Sequence, residues 1–238
     1  MNYSALVSAI ETYTENTFPS TTLADGTVVS STTQINNFIT QAEQRIYNSV
    51  QFPSLRKNVT GTTTVSNKYV SCPLDFLATY SIAVIDPTTG AYTYLLNKDV
   101  NFIREAYPVP TATGTPKYYS LFGPASTDET ELTFILGPTP DNAYSVELHY
   151  YYYPTSITVS STGTSWLGDN FDSVLLYGSL VEAYTYMKGE QDIIQLYDTK
   201  YKEALALAKR LGDGLERSDA YRSGQFRMPP LAQNNGVQ

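Results

Sequence analysis

The spacing of apolar residues divides the chain into helical and extended parts. In residues 3–15 apolar side chains recur every three or four positions, which predicts a helix. A second stripe over residues 35–50 predicts another helix, with Glu43 outside its apolar face. The segment between them, residues 17–31, is polar and contains proline and glycine, which predicts a loop.

From residue 59 to about residue 161 the period changes. Short runs rich in Val, Ile, Thr, Tyr and Phe alternate with turn sequences such as Asp-Pro, Thr-Gly and Gly-Pro. This pattern predicts an antiparallel sheet or a sandwich of six to eight strands. Residues 99–106 have helical character and predict a short helix within this region.

Helical spacing returns at Phe171 and continues to Tyr184. A further helix is predicted over residues 190–211, about 33 Å long at about 1.5 Å per residue, with an apolar face that runs from Ile193 to Leu211. We expect the two helices to form an antiparallel hairpin.

Residues with short polar side chains, together with glycine, predict where these helices begin and end. Thr32 or Thr33 is placed to cap the helix at 35–50, and Asp169 or Asn170 the helix that follows. Gly212 occupies a typical C-cap position and predicts the end of the last helix.

The order of elements predicts an α+β fold: a four-helix bundle-like domain with an inserted antiparallel β-domain, either a sheet or a sandwich, and an extended C-terminal arm. The helical domain is discontinuous and comprises residues 1–52 and 165–212. The inserted domain covers residues 53–164, and the arm covers residues 213–238. Neither helical pair is sufficient alone, so we expect the two pairs to meet.

Four consecutive tyrosines, residues 150–153, raise the question of a stacking platform. Nucleic acid needs a positive groove, but the nearest charges are Glu147 and Asp141. In a strand, alternate tyrosines face opposite sides, so we expect Tyr151 and Tyr153 to point away from the core and to contact a subunit or a tail protein. A carbohydrate platform is the alternative.

The composition restricts the chemistry that the chain can perform. One Cys and one His among 238 residues exclude an internal disulfide and a His/Cys zinc site within one chain. A Ser-His-Asp triad would need His149, and no motif supplies its partners. We therefore predict no enzyme activity, no cofactor and no bound metal. The N-terminus resembles no signal peptide, so we expect a soluble protein.

Charge is unevenly distributed along the chain, whose net charge is −8. Residues 200–238 hold seven basic and four acidic residues, which leaves −11 for the first 199. Arg217, Arg222 and Arg227 recur every five residues in this segment. Arginine and aromatic residues are favoured at interfaces, which predicts an arm that folds on a partner. A plain solvated tail is the alternative.

Several stretches together carry a resemblance to a known family. They are YTEN (13–16), FITQAEQRIYNSVQFPSLR (38–56), PLDFL (73–77), GPTPDNAYSVELHYYYYP (137–154) and SWLGDNFDSVLLYGSLVEAYTYM (165–187). In this order and spacing, the chain resembles the head-to-tail adaptor (connector) proteins of short-tailed bacteriophages, the tail-tubular-protein-A-like group. The polar loop at 17–31 and the length of the tail depart from that pattern.

The resemblance implies a structural virion protein that is made in the host cytoplasm. Such adaptors form a ring of twelve beneath the portal, contact the tail nozzle or fibres, and let DNA pass through the bore. The residues expected at the portal or subunit interface are Tyr197, Lys202, Lys209, Arg210, Arg217, Tyr221, Arg222, Phe226, Arg227, Met228 and Leu231.

Two other classes of function are alternatives to an adaptor. A carbohydrate- or receptor-binding virion module would use the tyrosine-rich β-domain as its site. A glycan hydrolase would need a pair of carboxylates in a cleft, and nothing in the sequence indicates one.

Overall fold

A computed structural model describes residues 1–109, 111–123 and 131–222, with side chains up to Leu211 in the last helix. The helices are α1 (Tyr3–Thr14), α2 (Ser31–Ser49), α3 (Val100–Ala106), α4 (Trp166–Asn170), α5 (Asp172–Tyr186) and α6 (Gln191–Arg222). The strands are β1 (Thr21–Thr22), β2 (Val28–Val29), β3 (Arg56–Thr62), β4 (Tyr69–Ser71), β5 (Ala78–Ile85), β6 (Tyr92–Tyr94), β7 (Leu96–Asn97), β8 (Tyr118–Phe122), β9 (Thr133–Gly137) and β10 (Ser145–Tyr151). The predicted α+β class is confirmed.

The chain forms two compact units. The helical unit contains Met1–Pro53 and the chain from Thr155 onward, and the β unit is Ser54–Pro154. Residues 155–164, which the sequence pattern placed with the strands, therefore belong to the helical unit.

Helix α5 is the centre of the helical unit and contacts α1, α2 and α6. Its apolar residues surround the axis, and Leu175, Leu180 and Ala183 are completely buried. A helix that is apolar on all sides is typical of a core position. The structure therefore shows α5 in contact with three long helices, α1, α2 and α6, while the four-helix bundle stays a prediction.

Three of the predicted helix ends are wrong. The Ser30 hydroxyl accepts a hydrogen bond from the Thr33 amide at 3.1 Å and caps α2, which places the cap before Thr32. The hydroxyl of Ser165 caps α4 in the same way, while α5 has no side-chain cap. Helix α6 continues through Gly212 to Arg222, so residues 213–222 of the predicted extended arm are helical. A glycine costs a helix only about 1 kcal/mol relative to alanine, which its helix-forming neighbours offset.

The expected position of Glu43 outside the apolar face is also wrong. Glu43 is buried, and its carboxylate accepts a hydrogen bond from the Ile157 amide at 3.0 Å. Burial raises the pKa of Glu43, although hydrogen bonds from Ser156 and Ile157 oppose the shift. The carboxylate thus ties the segment after the β unit to α2.

The β unit contains two four-stranded sheets with orders β3-β10-β5-β6 and β4-β9-β8-β7. The predicted antiparallel pairing holds for these strands except for β7 and β8, which are parallel. Residues of both sheets, including Val84, Phe134, Leu136 and Leu148, form one buried cluster, as in a sandwich. Helix α3 lies where the sequence predicted it, with Asp99 as its cap.

The tyrosine run ends the last strand of this unit. Strand β10 lies between β3 and β5, so it is internal to its sheet. Tyr150 is fully buried and Tyr152 packs on the same core, while Tyr151 is half-buried and Tyr153 is exposed. The alternation that the sequence predicted is therefore present in the structure.

Candidate functional site

Helix α6 carries most of the residues that were predicted to contact a partner, and its two faces differ. On the inner face Tyr201 and Ala208 are buried. Gly178 of α5 permits this close packing, because a Cβ there would lie 3.3 Å from the Tyr201 ring and 3.2 Å from Ala42. The inner face therefore serves the core of the helical unit.

Tyr197 belongs to a cluster of tyrosines within the chain. Its ring stacks on Tyr184 with centroids 5.1 Å apart, and Tyr177 and Tyr13 lie 6.4 Å away. Burial and the neighbouring phenols raise the pKa of Tyr197. This predicted interface residue has much of its ring surface covered by its own chain.

The outer face of α6 exposes three leucines, Leu196, Leu207 and Leu211, which we call the α6 leucine face. They are 53%, 62% and 45% exposed and are spaced by eleven and four residues, so they share one side of the helix. The sequence pattern assigned Leu211 to the inner face, which is wrong. Every third or fourth position is apolar on both sides of α6, and periodicity alone does not tell which side packs inward.

Of the predicted basic residues on α6, Arg210 borders this face, whereas Lys202 and Lys209 lie on other sides of the helix. Lys202, Lys209 and Arg210 are exposed, and Lys202 forms an ion pair with Asp198 at 2.5 Å. An exposed pair of this kind contributes little to stability. Exposed charges can nevertheless steer the encounter with a partner.

The other predicted interface residues lie farther along the chain. Arg217, Tyr221 and Arg222 lie on the last turns of α6. Phe226, Arg227, Met228 and Leu231 lie outside the described residues.

In the β unit, Tyr151 packs beside residues that the sequence did not single out. The Tyr80 ring meets Tyr151 edge-on at 6.0 Å, and the Arg56 guanidinium lies 4.8 Å from the Tyr80 centroid. Tyr92 and Tyr94 are more than half exposed, and their rings stack at 6.4 Å. Tyr92 and Tyr94 flank the half-buried Thr93 in β6, and this alternation is the sequence signal that could have identified them.

The titratable groups His149, Tyr150 and Cys72 of the β unit have structural roles. Nδ1 of His149 lies 3.2 Å from the Ser81 hydroxyl, and the phenol of Tyr150 donates to Asp75 at 2.8 Å. Burial raises the pKa of the Cys72 thiol to about 12, which disfavours the reactive thiolate. These contacts describe packing and do not form a nucleophile with an oriented base.

The described residues contain neither a metal-binding cluster nor a membrane-spanning helix. Within 1–109, 111–123 and 131–222, no three His, Cys, Asp or Glu side chains come close enough to hold a metal ion. No helix in the same part of the chain has the length and apolar character needed to cross a membrane.

Comparison with known proteins identifies the family of the chain. The family model described as SU10 adaptor protein matches residues 1–229, while no curated protein matches the chain. The resemblance to phage head-to-tail adaptors is thereby confirmed at the level of the family. The chain belongs to the SU10 adaptor protein family, which makes it a structural adaptor of a phage virion.

Proposed function

We propose that copies of this protein form a ring, of twelve subunits, that joins the portal to the tail nozzle or fibres and surrounds the path of DNA during ejection. Membership of the adaptor family supports contact with portal and tail components. The observation that carries the proposal further is the α6 leucine face.

Helix α6 is too long to be covered by its neighbour. Its 32 residues span about 48 Å, whereas the 15 residues of α5 span about 22 Å, at about 1.5 Å per residue. Three exposed leucines on one side of a helix are typical of an interaction surface and not of a solvated helix. We assign this surface and the chain beyond it to the portal and the neighbouring subunit.

The discontinuous helical domain, residues 1–52 and 165–212, would then hold the portal side, with residues 213–238 as its arm. Ordering an arm costs roughly 1–2 kcal/mol per residue in backbone entropy. Residues 213–222 of the arm already continue α6, so a groove on the assembled portal would have to offset this cost only for the chain beyond Arg222. A ring of copies multiplies each modest contact into a stable junction.

The charge distribution supports a passage for DNA and not a site that binds it. The first 199 residues carry a net charge of −11. Phosphate binding scales with the number of basic contacts, so an acidic wall keeps DNA mobile.

The proposal is tested by removing residues 214–238 and supplying the truncated protein to a phage that lacks the gene. We expect a protein with the thermal stability of the full chain that fails to join portal-containing heads. A full-length variant with Arg217, Arg222 and Arg227 replaced by Gln separates the charge of the arm from its length. Truncated protein that completes particles at the normal yield would refute the assignment of the arm.

A second candidate function, carbohydrate or receptor binding, has one specific observation in its favour. Tyr92 and Tyr94 present stacked, exposed rings on the β unit. A glycan array probed with the wild type and with Tyr92→Ala/Tyr94→Ala would show tyrosine-dependent binding if this second function holds. The adaptor proposal predicts no such binding.

A further inference from the structure

The sandwich of the β unit is open along one side. Strands β3 and β4 are the edge strands of the two sheets, and a slot of about 300 Å³ opens between them. We call it the edge slot, and its lining is mainly apolar: Val59, Gly61, Val70, Cys72, Phe134 and Val146. An open apolar volume of this size accommodates more than one aliphatic side chain.

Gly61 keeps the edge slot open. It lies in the interior of β3, on the side that faces the sandwich, where its neighbour in β10 is the buried Val146. A Cβ added at Gly61 would meet nothing within 4 Å. A glycine weakens a strand, and in a strand interior it often marks the close approach of another backbone.

Strand β3 directs backbone hydrogen-bonding groups outward. The Tyr152 backbone amide donates to the Leu55 carbonyl, and the Thr63 amide donates to the Tyr144 carbonyl. These two bonds show which residues of β3 are hydrogen-bonded to β10. By alternation, the backbone groups of Asn58, Thr60 and Thr62 point away from β10. Such an edge is a template for an additional strand.

The helical unit carries a hairpin suited to supply that strand. The side-chain amide of Gln34 donates hydrogen bonds to the backbone carbonyls of Pro19 and Val29, and the Ser31 hydroxyl donates one to the Thr17 carbonyl. These bonds anchor the base of the hairpin. Beyond that base the β1–β2 hairpin is exposed, with Val28 at 63%. The register turns the backbone of Val28 away from β1. An isolated two-stranded hairpin is only marginally stable in water, and a partner would stabilise it.

The charges of the two elements are complementary. Residues 54–72, which supply both edge strands, contain three basic residues and no acidic residue, although the whole chain is acidic. Lys57 pairs with Asp75 outside this segment, and Arg56 lies over the Tyr80 ring, so both also have contacts within their own chain. The hairpin segment, residues 17–31, contains Asp25 as its one charged residue. Opposite charges on two surfaces favour their encounter and fix their register.

We propose that the β1–β2 hairpin of one copy docks on the β unit of a second copy, where its β2 strand extends the sheet parallel to β3 and Val28 enters the edge slot. Such a contact is heterologous, since different surfaces of identical chains meet, and repeated heterologous contacts close into rings. The inference rests on the proposed ring and names one of its subunit contacts.

Photo-crosslinking in assembled particles tests the docking. Val28→p-benzoylphenylalanine is introduced into the full chain, particles are irradiated, and adducts are mapped by mass spectrometry. We expect adducts that join two copies and map to residues 58–62 or 69–73. Thr27→p-benzoylphenylalanine, one position away and on the opposite face of the hairpin, is the matched control and should lose these adducts.

A second variant blocks the slot without disturbing the fold. Gly61→Val places a side chain in the open volume, so the isolated protein should keep or raise its melting temperature while its incorporation into particles falls. In the Gly61→Val background the position-28 adducts should disappear. Adducts that map to the portal, to a tail protein or to the same chain, or normal incorporation of Gly61→Val, would overturn the inference. Particles that never contain the protein would instead contradict the proposed function.

Discussion

The α6 leucine face should be dispensable for folding and essential for assembly. The perturbation is the double substitution Leu207→Ala/Leu211→Ala. Alanine is the best helix former, so α6 should persist. Because the two side chains are 62% and 45% exposed, a little less than one leucine side chain is already buried within the chain, so the free energy of unfolding should fall by about 1–3 kcal/mol and the protein should remain folded.

The effect on assembly follows from the same exposures. At 62% and 45% exposure, the two leucines together leave roughly one leucine side chain to be buried by a partner. Burying that surface contributes about 1.5–3 kcal/mol per copy, which is about 10- to 100-fold in the association constant. A ring that depends on many such contacts should then fail to assemble.

Two measurements and two controls complete the design. Thermal denaturation reports folding, and the amount of protein in purified particles reports assembly. Leu74→Ala, at an exposed leucine of the β unit, should change neither, while Leu180→Ala in the core of α5 should cost about 2–5 kcal/mol of stability. Normal incorporation of the double variant would refute the interface, and a loss of stability larger than that of Leu180→Ala would contradict the exposure of the two leucines.

Further predictions concern packing and titration. Since burial raises the pKa of Glu43, the folded state binds its proton more tightly than the unfolded state, and this contribution to stability is lost as pH rises above about 4.5. Glu43→Gln keeps an acceptor for Ile157, so its melting temperature relative to wild type should increase between about pH 4 and pH 7; a constant difference would contradict the shift. Gly178→Val should lower stability by about 1–3 kcal/mol, measured by urea unfolding, because Ala42 and Tyr201 already touch that position; an unchanged midpoint would contradict this packing. Cys72 should react with iodoacetamide only slowly at about pH 8 and rapidly in denaturant, because its pKa is raised to about 12; rapid labelling of the folded protein would exclude its burial.

Local periodicity predicted the elements well, because it reflects local geometry. The helices at both ends of the chain, the short helix after Asp99 and the opposite faces of Tyr150 and Tyr151 follow from side-chain spacing. The class of the fold follows from the order of those elements.

Features that depend on distant partners could not be predicted in this way. The local pattern predicts Glu43 at the surface, because its hydrogen-bond donor, the Ile157 amide, lies far along the chain. The internal position of β10 requires pairing with both β3 and β5, which no local pattern encodes. The inner and outer faces of α6 both contain leucines, and only the packing of α5 distinguishes them.

Electron microscopy of complete particles tests the central proposal most directly. A small tag at the exposed turn after β5, near Gly90, would mark each copy without entering the core. The proposed function predicts a closed ring of tagged subunits between the portal and the tail, with an open bore along its axis. Density for the tagged protein at any other place in the particle, or as single copies without a ring, would contradict it.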